Sequence, residues 1–336
     1  MSRSIAALSL LLALSLFADG RAAAEPVTLR FATIAPEGTG WAREFKAFAR
    51  DAEAFSDGNL RIKWYFSGIA GDESIVPERI RRGQLDAEAA AASCASMAPS
   101  LRVMRVVGMF RRREETHAVI ARLRPKLDAE FRKAGYVALA ITWFGSEVAF
   151  SREPIRTMAD LQRMRLWIWN LDTVWPTEMK TLGMHPVALP VEEAGRAYDE
   201  GRIDGFLALP SAALAYQWSA RTRYVSNLAI ASLPACVVIS SAAFEALPFE
   251  SQRALRAAAA KATLRFEDIN ATQEDALLGG LFDRQGTHLV DATPTFRASF
   301  LETARTARES LPESIIPKAL ITQVLGWLSD YRAERP

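Results

Sequence analysis

Apolar and polar positions begin to alternate at Val27-Thr-Leu-Arg-Phe-Ala-Thr33, and this period of two with β-forming residues predicts a strand. A turn-rich Pro36-Glu-Gly-Thr-Gly40 follows, after which Trp41, Phe45, Phe48, Ala52 and Phe55 fall at helical spacing. Asp57-Gly58 ends that helix, and Leu60-Arg-Ile-Lys-Trp-Tyr-Phe66 reads as a second strand. A helix carrying Ile75, Ile80 and Arg81 comes next, then Gly83-Gln-Leu-Asp86 and an alanine-rich strand.

Strands and helices keep alternating beyond this point. Residues 115–134 carry a helical pattern, Tyr136–Trp143 a buried strand, Met158–Gln162 a short helix and Met164–Trp169 a further strand. Leu189-Pro190 and a helix over Glu192–Glu200 lead to a strand at Arg202–Phe206 that starts after a glycine turn. From Pro248 the chain turns helical, with a long helix over Glu250–Asp283 and a C-terminal segment bearing Ile315, Ile316, Leu320, Val324, Trp327 and Leu328. Such alternation predicts an α/β fold with mostly parallel sheets flanked by helices. No repeat period or low-complexity linker interrupts it.

Arg3, the apolar run Ile5–Phe17 and the small residues Ala22-Ala23-Ala24 before Glu25 fit a cleaved signal peptide over residues 1–24, and hence a periplasmic protein. That run is shorter than the roughly 20 residues a membrane span needs. The roughly 310 residues that remain exceed what one core comfortably organises, so two domains are expected. Charge is nearly balanced, 41 basic against 39 acidic residues for a net +2. The basic run Arg111-Arg112-Arg113 leads straight into Glu114-Glu115 without interleaved aromatics, which argues against nucleic-acid binding. Cys94 and Cys236, both in apolar small-residue contexts, are expected as buried free thiols, with a bridge left open by their wide separation.

Catalytic signatures are missing. There is no G-x-S-x-G elbow, no H-E-x-x-H pair and no phosphate-binding glycine loop; Gly38-Thr-Gly40 lacks the third glycine of a dinucleotide fingerprint. His117, His185 and His288 are dispersed without ligand spacing, so no metal or cofactor is called for. Aromatic residues gather instead in the middle of the chain: Trp143, Phe144, Trp167, Trp169, Trp175, Phe206, Tyr216 and Trp218, several at expected strand ends. Ligands of open α/β sheets settle beyond the carboxyl ends of strands, so these side chains are pocket candidates. Trp167 and Trp169 share a strand face.

Ala32-Thr-Ile-Ala-Pro-Glu-Gly-Thr-Gly-Trp41, Ser67-Gly-Ile-Ala-Gly-Asp-Glu73, Arg82-Gly-Gln-Leu-Asp86, Asp160-Leu-Gln-Arg-Met-Arg165, Leu182-Gly-Met-His-Pro-Val-Ala-Leu-Pro190 and Gly201-Arg-Ile-Asp-Gly205 stand in this order along the chain. Together they resemble the solute-binding proteins of TRAP (tripartite ATP-independent periplasmic) transporters over essentially the whole chain after residue 24. The resemblance implies a two-domain periplasmic binding protein fold of type II character with a long bracing helix. It also implies a non-enzymatic receptor that closes on a small organic ligand and delivers it to TRAP permease subunits. The domain division so implied is 25–137 with about 212–248, then 138–211 with about 249–295, then a helical cap over 296–336.

The family typically holds organic acids through an arginine whose fork matches a carboxylate. Here Trp167 takes that arginine's place, with Arg165 one alternation earlier on the same face; Glu147 fills a second basic position, and Phe206, Leu207 and Ala208 replace polar residues. The candidate ligand-binding set is Trp143, Glu147, Arg165, Trp167, Trp169, Asn170, Phe206 and Trp218. These changes point to a small organic ligand that is apolar or aromatic, or a monocarboxylate, with a cation stacked on the aromatics and countered by Glu147 as a variant. Family members with a similar Trp-x-Trp form imply an additional periplasmic helical-repeat partner. The alternative function is a hydrophobic-ligand shuttle or sensory module uncoupled from a TRAP permease.

Overall fold

The computed structural model describes residues 25–335, so the expected signal peptide lies outside the described residues. Ten strands form the framework: β1 Val27–Ala32, β2 Leu60–Tyr65, β3 Ala87–Ala90, β4 Tyr136–Ser151, β5 Leu166–Trp169, β6 Val187–Leu189, β7 Gly205–Ala208, β8 Tyr224–Ser226, β9 Ala231–Ser240 and β10 His288–Val290. Their order is β2-β1-β3-β9-β4-β7-β5-β6, with β8 also pairing β4 and β10 pairing β8. The pairs β1–β2, β1–β3, β5–β6, β5–β7 and β8–β10 are parallel, as expected where helices cross between successive strands. Every antiparallel pair involves β4 or β9. Those two strands run antiparallel from Tyr136 opposite Ser240 to Glu147 opposite Ala231, and they tie the two α/β domains together.

β4 is twice the length that the sequence pattern gave it. Register shifts between Ala138 and Ala140 and between Trp143 and Gly145 act as bulges, so the strand survives the glycine and continues through the buried Val148-Ala-Phe-Ser151. β7 starts later than expected, at Gly205. A Cβ there would sit 2.0 Å from the carbonyl oxygen of Phe150, so only glycine lets β7 lie against β4.

The two domains repeat one local device. Arg30 on β1 donates from its backbone N–H and its Nε to Asp86 Oδ2, from Nη2 to Asp86 Oδ1, and again to the carbonyl of Gly83. Arg165, just before β5, makes the same four bonds to Asp204 and Gly201. Phe31 lies opposite Ala87, and Leu166 opposite Gly205. The segments Gly83-Gln-Leu-Asp86 and Gly201-Arg-Ile-Asp204 are therefore equivalent turns, each pinning the start of the strand that follows to its neighbour.

A helix over Gly40–Phe55, capped by Thr39, buries Trp41, Phe45, Phe48 and Ala52 against the first domain. The long helix Phe249–Ala276 lies across it and across β4. It ends earlier than the apolar pattern suggested, because a wide π-type turn over Leu277–Leu281 places Gly280 at a φ of 122°, outside helical geometry.

The expected free thiols are a correction: Cys94 and Cys236 form a disulfide across a sequence separation of 142. The pairing of β3 with β9 places Ala90 opposite Cys236, and the short helix Cys94–Met97 begins just beyond, so the backbone delivers the two sulfurs to each other. Because the bridge closes a long loop, Cys94→Ala/Cys236→Ala should lose about 3–5 kcal/mol of stability, read from the urea midpoint under non-reducing conditions.

Candidate functional site

A cleft enclosing about 1110 Å³ between protein atoms, mouth included, opens beyond the carboxyl ends of β1, β3, β5 and β7. β1 leads into Thr33, Ile34 and Ala35 on its wall, β3 ends in Ala89 and Ala90 and leads into Ala91, β5 contributes Trp167 and Trp169, and β7 ends in Ala208 and leads into Leu209. The crossing strands supply the floor through Thr142, Phe144 and Glu147 of β4 and Leu233, Ala235 and Cys236 of β9. The long helix closes one side with Ala259, Ala262, Phe266 and Asn270, packed against Trp41 and Phe45.

The second domain's wall is aromatic. Trp218 stacks face to face on Phe206 at 4.9 Å between ring centres, meets Tyr216 at 5.2 Å and Trp167 at 4.8 Å. Trp167 donates its indole N–H to the carbonyl of Leu189, and Tyr216 donates its hydroxyl to the carbonyl of Ile34. Both polar handles are consumed by backbone, so the rings present apolar faces. On the other side Trp41 and Phe144 meet at 4.9 Å.

Charged groups near the cleft are already engaged. Glu73 is buried and accepts from the backbone N–H groups of Ala91 and Ser93; loss of water pushes its carboxyl up to about 7. Glu88, buried behind it, is raised well above the carboxylate range, first by burial and then by Glu73. Glu147 is buried too and raised to about 7 by desolvation, against the pull of Arg105. That guanidinium pairs with Glu147, bonds Asp172 at 2.8 Å and the Ser232 carbonyl at 3.0 Å, and lies 4.3 Å from the ring centre of Trp175. Among the described residues, no Lys, Arg or His lines the cleft.

Of the residues proposed from sequence, Glu147, Trp167, Trp169 and Trp218 sit on the cleft wall, and Phe206 backs Trp218. The other three are not brought there. Arg165 is exposed just before β5, its guanidinium bonded to Asp204 and Gly201 and not on the cleft wall. Trp143 points away from the cleft toward His117 because its neighbours Thr142 and Phe144 occupy the cleft side of β4. Asn170 is exposed beyond the end of β5. Sequence reasoning missed Trp41 and Asn270, whose placement depends on the docking of two helices, and Glu73, a turn residue placed by the backbone of Ala91 and Ser93; no local spacing announces these contacts.

This chain belongs to the DctP family, bacterial extracellular solute-binding protein family 7, which matches residues 31–312. The family is one of non-enzymatic transport receptors, and membership implies a periplasmic location. The 2,3-diketo-L-gulonate-binding periplasmic protein YiaO of Escherichia coli (strain K12) is 24% identical over 231 residues, which cover 67% of this chain and 69% of that protein. The fold is shared with the sugar acid binding protein DctPAm of Advenella mimigardefordensis in complex with galactonate: TM-score 0.84, 18% identity, 91% of this chain and 99% of the other covered. It is shared as well with DctP7, a Bordetella pertussis extracytoplasmic receptor binding pyroglutamic acid: TM-score 0.79, 18% identity, 89% and 99% covered.

Two expected outcomes follow from this geometry. Because the raised Glu73 keeps its proton in the folded state up to about 7 while the unfolded chain releases it at its ordinary value, folded stability falls with rising pH across that window and levels off above it. Glu73→Gln should therefore match wild type in urea unfolding at pH 4.5 and exceed it at pH 8 by on the order of 3 kcal/mol. Arg165→Ala should lower the melting temperature yet leave ligand affinity unchanged in calorimetric titration; a loss of affinity with an intact fold would contradict its placement.

Proposed function

We propose that this protein is a periplasmic TRAP receptor for a neutral, apolar or aromatic organic molecule, which it captures between its two domains and hands to a TRAP permease. The observation that carries this reading is the cleft wall, rich in aromatic rings and without a Lys, Arg or His among the described residues that line it. A carboxylate buried there would lose water without gaining a guanidinium, at a cost of several kcal/mol. An aromatic ligand burying about 200 Å² of apolar surface would gain about 5 kcal/mol. The relatives named for sugar acids and pyroglutamic acid indicate what the shared architecture can hold; the reading for this chain rests on its own wall, which has no Lys, Arg or His among the described residues that line it.

The test is a thermal-shift screen of the mature protein against D-galactonate, pyroglutamate and succinate on one side and indole and acetophenone on the other. The neutral set should raise the melting temperature, because a ligand bound only to the folded state adds stability, and Trp169→Ala should abolish the shift. Trp169 is half-buried, so its truncation spares the core. Stabilisation by the acids alone would sink the reading.

A further inference from the structure

We infer that Asn270 is a specificity-determining residue of the cleft, donating a hydrogen bond from its amide nitrogen to an acceptor oxygen on an otherwise apolar ligand. The inference rests on the proposed neutral-ligand function and deepens it. Asn270 sits on the long helix, 2% exposed, and lines the cleft. Its orientation is fixed by a neighbouring wall residue: the indole N–H of Trp41 donates to Asn270 Oδ1 at 3.1 Å. That bond consumes the acceptor end of the amide and defines which end is nitrogen. The nitrogen, Nδ2, is buried and has no partner.

A buried donor without a partner is a standing cost, and a site so built favours a molecule that supplies the missing acceptor. The surroundings set what that molecule looks like. Phe266, one turn before Asn270, and Trp41 beside it surround the donor with apolar surface, and the opposite wall is the Trp167, Trp169, Trp218 face. A single donor in such a setting suits a carbonyl-type oxygen, as in a ketone, ester or amide, attached to an aromatic or aliphatic body. Sites that hydrogen-bond a ligand group reject analogues lacking it more strongly than apolar pockets reject a change of shape.

The test uses two probes of similar shape on the mature protein, acetophenone and cumene, in which a methyl group replaces the carbonyl oxygen. Dissociation constants are measured by calorimetry for wild type, Asn270→Asp and Asn270→Leu at pH 8. Asn270→Asp keeps the acceptor for Trp41 and removes the donor; Asn270→Leu removes both. Comparing the two probes within each variant cancels any general loosening of the fold. Wild type should prefer acetophenone by about tenfold, and both variants should lose that preference while still binding cumene. Equal binding of the two probes by wild type, or a preference that persists in both variants, would overturn the role of Asn270 and leave the aromatic receptor standing. Binding of neither probe, with D-galactonate bound instead, would overturn the receptor reading itself and this inference with it.

Discussion

Moving a carboxylate out of water costs several kcal/mol unless a cation or a set of backbone donors meets it, and in this cleft the nearby buried guanidinium of Arg105 is already taken. Arg105 is held between Glu147 and Asp172, bonded to the Ser232 carbonyl and packed over Trp175. Releasing it would strand two buried carboxyls, the kind of break that costs far more than an ion pair contributes. The triad therefore fixes both the geometry behind Trp169 and the charge the cavity can accept. Once Arg105 is committed, the side chains facing the ligand space are aromatic rings, aliphatics, a few neutral polar groups such as Thr142 and Asn270, and protonatable carboxyls.

The scaffold delivers those side chains through β4 and β9. All antiparallel pairing in the described residues runs through these two strands, and each domain hangs its parallel strands from one of them. The Arg30–Asp86 and Arg165–Asp204 clamps hold the far ends of β1 and β5 in equivalent ways, which leaves the opposite ends of both strands facing one cleft. The equivalence also places Trp167 opposite Phe206 where the first domain sets Ala32 opposite Glu88, so equivalent strand positions carry an aromatic pair in one domain and an alanine facing a carboxyl in the other. The Cys94–Cys236 bridge then ties the end of β3 to the crossing strand at the cleft floor.

Much of this was legible in the sequence. The alternation of strand and helix, the long helix and the shared face of Trp167 and Trp169 follow from period and strand-end placement, which are local properties, whereas Trp218, in the loop after the helix Pro210–Ala215, stood out only as one of a cluster of aromatics. Three kinds of residue escaped. Arg165 shares a strand face with Trp167 by parity, but parity does not say how far along the strand the cleft begins. Trp143 looked like a wall residue because its neighbours are, and the alternation that excludes it depends on which face of β4 the second sheet half covers. Glu73, Asn270 and the disulfide arise from segments 18 to 229 residues apart meeting in space, as Glu73 does with Ala91 and Asn270 with Trp41. Such meetings leave no mark on the local pattern.

The charge of the ligand is the central claim, and the most direct measurement is native mass spectrometry of the protein drawn from the periplasm of its own cells, followed by extraction and identification of whatever travels with it. The account expects a neutral organic molecule with a substantial apolar body at one per chain. A sugar acid or dicarboxylate bound at that stoichiometry would contradict it, because it would require a cation the cleft does not present.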